Sequence, residues 1–163
     1  MGTKEKVGKI LTKTARILPG IGSYQDKESI RESDKKLRDH ISTILTSSMK
    51  TVERLKTEIS RRGSLSFLKE LDDLSRHIDK LSRTITFSSR GYAGVFDSNQ
   101  VDEKALSDLF EFDVSLKEEV GNLGSLVSNI SEKKGELTAQ MLDEVRNFLF
   151  RIEEKMKERE SLL

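Results

Sequence analysis

The fold of this chain is decided by residues 67–85, which read FLKELDDLSRHIDKLSRTI. Apolar residues recur there at steps of four, three, four, three and four, at Phe67, Leu71, Leu74, Ile78, Leu81 and Ile85. Such steps place apolar side chains on one stripe of an α-helix that packs along its length against other helices. Residues 142–156 repeat the pattern. It predicts long, coiled-coil-like helices in a bundle.

Four stretches of this kind predict an all-α fold with four helices. Gly63 and Gly135 follow the first and third stretches, where glycine commonly ends a helix, and Ser64 can cap the second. Because the links at these glycines are short, the helices on either side of each link should run in opposite directions. We expect an antiparallel up-down-up-down four-helix bundle over residues 25–163, preceded in residues 1–24 by a short basic amphipathic helix and a Pro/Gly turn. The expected helices are about 26–62, 64–88, 102–134 and 138–159.

The composition agrees with this fold class. The 163 residues are 34% apolar and 35% charged, with one proline, no cysteine and no tryptophan, a profile typical of long helices with charged outer faces. The lack of cysteine excludes disulfides, thiol nucleophiles and cysteine-ligated metals. No apolar run reaches the roughly 18 residues of a membrane span, and the basic start is not followed by the apolar stretch of a secretory signal. We therefore expect a soluble, cytoplasmic protein without a transmembrane segment.

Charge is distributed unevenly along the chain. Residues 1–90 carry 20 Lys or Arg against 12 Asp or Glu, and residues 91–163 carry 9 against 16. This asymmetry favours packing of the basic half against the acidic half within one bundle. Because the basic residues are interleaved with acids and few aromatic residues are present to stack bases, nucleic-acid binding is not expected.

No motif in the sequence points to a catalytic, cofactor or metal site. A di-metal carboxylate bundle needs inward Glu residues and Glu-x-x-His pairs, but neither His40 nor His77 has an acid three residues before it. Walker loops, dinucleotide fingerprints and serine-hydrolase signatures are also missing from the sequence. We therefore name no catalytic residue, cofactor or metal ligand, and expect a protein that is not an enzyme.

Two acidic residues interrupt the apolar stripes. Asp113 stands between Leu109 and Leu116 where the third stretch calls for an apolar residue, and Asp34 fills the corresponding position of the first stretch. A carboxylate buried there would need a hydrogen-bonding or cationic partner. The alternative is that Phe112 takes the inward place and leaves Asp113 at the edge of the core.

Two turn-rich segments, residues 19–25 and 88–100, should lie at the same end of the bundle as these acids, because the second helix of an antiparallel hairpin returns to the start of the first. Arg90 could then approach Asp34 or Asp113. One interpretation is a structural cluster that closes the bundle end. The other is recognition of a ligand or partner by loops on a rigid scaffold. The candidate residues of this cluster are Tyr24, Asp34, Arg90, Gly91, Tyr92, Gly94, Phe96 and Asp113.

The same segments carry two motifs. Residues 18–28 read LPGIGSYQDKE and residues 89–97 read SRGYAGVFD. As LPG-x3-Y-x2-KE and SRGYAG-x-FD patterns, they resemble motifs of small prokaryotic helical-bundle proteins of unassigned function. The resemblance implies that the bundle end is a feature of that family, and it implies no activity, cofactor or substrate.

The segment from Lys4 to Leu18 is a second candidate interaction element. It carries five cations and one acid, with apolar residues on one helical stripe. Such a helix can dock on a protein or lie on an anionic membrane surface, although it lacks the Trp or Phe that usually anchors membrane-surface helices. Its candidate residues are Lys6, Val7, Lys9, Ile10, Leu11, Lys13, Arg16 and Ile17.

Together these features predict a non-enzymatic helical-bundle protein that acts as an interaction or scaffold module and binds a protein partner or itself. One alternative is a peripheral membrane adaptor that uses the basic N-terminal helix. Another is a small-molecule-binding or enzymatic bundle with a polar site at the loop end.

Overall fold

The computed structural model describes residues 27–87, 103–133 and 136–162, and the side chains of residues 34–87, 108–133 and 136–161. The predicted N-terminal helix, with its candidate residues between Lys6 and Ile17, lies outside the described residues. So do both turn-rich segments, and with them Tyr24, Arg90, Gly91, Tyr92, Gly94 and Phe96.

Four α-helices make up the described chain. They are α1 (Lys27–Arg61), α2 (Leu68–Phe87), α3 (Glu103–Glu132) and α4 (Ala139–Leu162). The prediction of an all-helical fold with four helices is confirmed, and the described ranges contain no strand.

The end of α1 is formed by a glycine turn. Gly63 has a φ of 70°, in the left-handed region that glycine adopts without steric cost. Its N–H donates to the Ser60 carbonyl at 3.1 Å, and the Ser64 N–H donates to the Ile59 carbonyl at 3.3 Å. These two bonds satisfy carbonyl groups that the end of a helix would otherwise leave without partners. Residues 64–67 lie in the turn, so α2 begins at Leu68 and not at the predicted residue 64.

In two pairs of helices, α1 with α2 and α3 with α4, the contacts follow opposite residue orders. Between α1 and α2, Ser42 contacts Ser82 and Lys56 contacts Asp72, so residue numbers fall along α2 as they rise along α1. The helices α3 and α4 meet in the same opposite order, as the contact of Glu119 with Arg151 and that of Asp113 with Arg159 demonstrate.

The pair α1 and α2 packs against the pair α3 and α4 through contacts of α1 with α3 and of α2 with α4. Here the residue numbers rise together. Arg54 of α1 donates a hydrogen bond to Ser131 of α3 at 3.1 Å, and twenty residues earlier on α1, Asp34 lies beside the same arginine as Asp113 of α3.

One apolar core fills the space between the helices. Its buried residues continue the steps of three and four on every helix: Leu37, Ile41, Leu45, Val52 and Leu55 on α1; Leu71, Leu74, Ile78, Leu81 and Ile85 on α2; Leu116, Val120, Leu123, Val127 and Ile130 on α3; and Leu142, Val145, Leu149, Ile152 and Met156 on α4. Burial of these side chains is the main favourable contribution to folding.

Two glycines of α3 differ in their surroundings. A β-carbon on Gly124 would lie 3.1 Å from Cγ2 of Ile44 on α1, whereas a β-carbon on Gly121 would meet no atom within 4 Å. Close approach of α1 to α3 therefore accounts for Gly124. It does not account for Gly121, for which the structure gives no packing reason.

Replacement of each glycine by alanine should distinguish these surroundings. Gly121→Ala should raise the free energy of unfolding by roughly 1 kcal/mol, because alanine is the better helix former and meets no obstacle. Gly124→Ala should gain less, or lose stability, because Ile44 must move. Urea denaturation of the two variants measures the difference. An equal gain in both would contradict a close contact between α1 and α3 at Gly124.

Candidate functional site: a buried ionic layer

Four charged side chains are buried together near one end of the bundle. Asp34 and Arg38 of α1, Asp113 of α3 and Arg159 of α4 are exposed at 1%, 4%, 1% and 1%. We call these four residues the ionic layer. Each continues the apolar stripe of its helix, since the steps of three and four run through 34, 38 and 41 on α1, through 109, 113 and 116 on α3, and through 156 and 159 on α4.

Arg159 binds both carboxylates of the layer. Its Nε donates to Asp113 Oδ1 at 2.7 Å and its Nη2 to Asp113 Oδ2 at 3.1 Å. This is the paired geometry in which a planar guanidinium binds a carboxylate most strongly. Its Nη1 donates to Asp34 Oδ1 at 2.6 Å. One side chain of α4 therefore connects α3 and α1.

Arg38 connects the ionic layer to α2, the fourth helix of the bundle. Its Nε lies 3.2 Å and 3.1 Å from the two carboxylate oxygens of Asp34, and its Nη1 donates to the backbone carbonyl of Ile85 at 3.0 Å. Ile85 lies in the last turn of α2, where carbonyl groups lack partners within the helix and a cation is favoured by the helix dipole. All four helices thus meet in the ionic layer.

The energetics of the layer follow from its burial. Moving a charge out of water costs several kcal/mol, which attraction in the interior repays only when geometry and hydrogen bonding are good. The layer contains two carboxylates and two guanidiniums, and each carboxylate accepts hydrogen bonds from arginine. Its net contribution to stability can be small, yet removal of one member leaves a buried charge without a full set of partners.

The structure places the sequence-predicted acids together. Asp34 and Asp113 are both buried and both bind Arg159. The alternative in which Phe112 displaces Asp113 from the core is wrong, because Phe112 is half-buried while Asp113 is almost fully buried. The predicted cation, Arg90, lies outside the described residues.

Sequence reasoning missed Arg38 and Arg159. Both lie on the buried stripe and could have been found by counting, since Arg38 is three residues before Ile41 and Arg159 is three residues after Met156. Arginine is usually exposed, and Arg159 stands at the expected end of its helix, so residue type and position both favour a surface location for these arginines.

A second polar cluster joins α1 to α2 near the opposite end. Ser75 donates a hydrogen bond to Glu53, and Lys56 binds both Glu53 and Asp72. The bond from Ser75 is the largest cause that lowers the pKa of Glu53, and the bond from Lys56 is the largest that lowers the pKa of Asp72. A carboxyl group whose pKa is lowered in the folded state stabilises the protein when the pH is above its unfolded pKa of roughly 4. This stabilisation is lost as the pH falls, so acid should weaken this contact.

Both histidines are partly buried. Burial, followed by the charge of Lys117, lowers the pKa of His40. His77 of α2 packs edge-on against Phe150 of α4 with ring centres 5.1 Å apart, and its Nε2 lies 3.4 Å from Oε2 of Glu153. His77 is therefore a boundary residue between α2 and α4.

Two small spaces lie among the described residues. An open groove of about 80 Å³ lies between α2 and α4, with His77, Leu81, Ile85 and Met156 among its lining residues. A void of about 10 Å³ lies within the apolar core. Pockets for organic ligands usually have about 300–1,000 Å³, so neither space has the size of such a pocket.

Within residues 27–87, 103–133 and 136–162, no group of three or more His, Asp or Glu side chains is placed to hold a metal ion. None of the helices in the described part of the chain combines the length and apolar character needed to cross a membrane.

Comparison with models of known protein families, with curated proteins and with solved structures finds no match. The resemblance of residues 18–28 and 89–97 to prokaryotic helical-bundle proteins therefore stays a prediction.

Loss of one arginine from the ionic layer should be costly. Arg159→Leu should lower the free energy of unfolding by about 3–5 kcal/mol, because Asp113 would remain buried without the guanidinium that binds both its oxygens. The matched control is Arg151→Leu, eight residues earlier on α4, where a half-exposed arginine pairs with Glu119. That change should cost about 1 kcal/mol or less.

Urea denaturation of both variants measures the two losses. A loss for Arg159→Leu no larger than that for Arg151→Leu would contradict a structural role of the ionic layer.

Proposed function

We propose that this protein is a non-enzymatic interaction or scaffold module, and that it binds a protein partner or a second copy of itself at the end of the bundle next to the ionic layer. The observation that carries the proposal is where the helices begin and end. The chain leaves α2 at Phe87, two residues after Ile85, and enters α1 at Lys27 and α3 at Glu103, upstream of the two acids of the layer. Residues 1–26 and 88–102 therefore join the bundle at this one end.

The proposed course of the chain is up-down-up-down, with α1 and α3 in one direction and α2 and α4 in the other. The opposite order of contacts within each hairpin supports it, as does the rising order of contacts from α1 to α3. In this arrangement both turn-rich segments with the candidate residues, including Arg90, Tyr92 and Phe96, attach to the same end.

The contacts of the ionic layer favour a scaffold over an enzyme. Its acids and bases bind one another and the end of α2, so their role is to hold four helices together. Functional residues commonly lie on loops that a rigid scaffold positions. The layer supplies that rigidity at the end where residues 19–25 and 88–100 attach.

Variants of the loop residues test the proposal. For the natural sequence, affinity capture from cells of the source organism should recover a protein partner, or light scattering should detect a self-associated form. The interaction that is found should be lost in the double variant Tyr92→Ala with Phe96→Ala, while the temperature of thermal unfolding changes little. Leu65→Ala, at an exposed position in the link at the other end of the bundle, should leave binding unchanged. Unchanged capture by the Tyr92 and Phe96 variant would contradict binding at this end.

Arg90→Ala separates recognition from structure. Under the proposal it weakens binding more than stability. A large loss of stability with unchanged partner binding would instead identify a cluster that only closes the bundle. A role of residues 4–18 in peripheral membrane contact stays a prediction of the sequence.

A further inference from the structure

We propose that residues 4–18 dock as an amphipathic helix in the open groove between α2 and α4 of the same chain. This surface is distinct from the bundle end, and the inference does not rest on the proposed function. It is carried by the apolar side chains in and around the groove, by the length of the segment and by the place where the chain enters α1.

The groove has an apolar floor that is continuous with the core. Leu81 and Ile85 of α2 and Met156 of α4 line it, and all three belong to the buried core of the bundle. Its volume of about 80 Å³ is about half of the roughly 150 Å³ of an apolar cavity that binds benzene. The groove therefore suits single aliphatic side chains that enter from outside.

Two exposed phenylalanines extend this apolar surface along the bundle. Phe150 is 52% exposed and packs against His77 at one end of the groove. Phe87 is 81% exposed and follows Thr84 by three residues at the other end, and residues three apart share a helix face. Among the described side chains, Leu65 is the one further large apolar residue that is exposed. Contiguous exposed apolar surface commonly marks an interaction site.

The segment from residue 4 to residue 18 matches this surface in pattern and in length. Five of its apolar side chains share one helical stripe, as in helices that anchor in apolar grooves: Val7, Ile10, Leu11, Ile17 and Leu18. The stripe from residue 7 to residue 18 is about 16 Å long as a helix, and the apolar surface from His77 to Phe87 is about 15 Å long.

The connection to α1 lets the segment reach the groove. Residues 19–26 join it to the start of α1, and a stretch of that length spans up to about 27 Å. Neighbouring helices lie about 8–10 Å apart, so a helix on the α2–α4 face lies within about 20 Å of α1. The docked helix runs in the same direction as α2 and α4. Leu18 then lies beside Phe87, and four residues earlier Thr14 lies beside Thr84.

This attachment favours the segment over other occupants. A tethered segment meets the groove at an effective concentration in the millimolar range, so a few apolar contacts suffice to hold it. A separate protein usually needs an interface of about 1,000 Å² or more. The groove walls carry Lys80 and Lys157 as well as Glu153 and Glu160. Because both signs of charge are present there, apolar packing positions the segment.

Disulfide trapping tests the docking, because the natural chain contains no cysteine. The groove pair combines Thr14→Cys on the apolar stripe with Thr84→Cys on the groove wall. The matched control pair combines Thr14→Cys with Thr43→Cys, an exposed position on α1 that lies at a similar height, since Ser42 contacts Ser82. Mild oxidation of the full-length chain should form an intramolecular disulfide about tenfold faster, or more, in the groove pair.

Disruption of the apolar stripe should remove this difference. In the groove pair, Ile10→Asp with Leu11→Asp should slow the disulfide to the rate of the control pair, while circular dichroism still shows a folded bundle, whose core is formed by α1 to α4. Lys9→Gln with Lys13→Gln, beside the stripe of the same segment, should leave the disulfide fast. An unchanged rate after the two aspartate substitutions would overturn the proposal.

Three further outcomes would also overturn it. Equal rates in the groove pair and the control pair would mean that the segment is tethered but not docked. A groove-pair disulfide that forms between two chains, and slows on dilution, would identify a second copy as the occupant. Equal rates together with pelleting of the natural chain on vesicles of phosphatidylserine and phosphatidylcholine would assign the stripe to a membrane surface.

Discussion

The guanidinium of Arg159 is the contact on which the arrangement of the four helices depends. It extends from α4 to Asp113 on the adjacent helix α3 and to Asp34 on α1. The helix α1 packs against α2 and α3 and faces α4 across the bundle. The bond from Arg159 to Asp34 therefore connects two helices that are not direct neighbours. Arg38 completes the set through the carbonyl of Ile85 on α2. Apolar burial supplies the driving force for folding, and these charged contacts connect all four helices near one end of the bundle.

The sequence predicted the helices well because the physical requirement behind them is simple. A helix such as 68–87 can bury one stripe only if apolar residues recur at steps of three and four, and Leu71 to Ile85 do so. The start of α2 was less predictable, since it depends on how the chain leaves the Gly63 turn. Asp34 and Asp113 were visible as interruptions of the pattern. Their partners were not, because an arginine on a stripe resembles a surface residue until the opposite helix is known to carry an acid.

The ionic layer and the turn-rich segments have complementary parts in the proposed function. The layer joins all four helices near the end where residues 1–26 and 88–102 attach. A binding surface on such segments would gain affinity from a support that does not rearrange, because less conformational freedom is lost on association. The layer would hold the four helices together, while loop residues such as Tyr92 and Phe96 would contact the partner.

A double-mutant cycle on Asp34 and Arg159 tests the central claim most directly. The free energy of unfolding is measured for Asp34→Leu, for Arg159→Leu and for both changes together. If the two side chains stabilise each other across the bundle, the double variant should lose less stability than the sum of the single losses, by about 2 kcal/mol or more. Losses that add within about 0.5 kcal/mol would contradict the claim that this contact holds α1 and α4 in place.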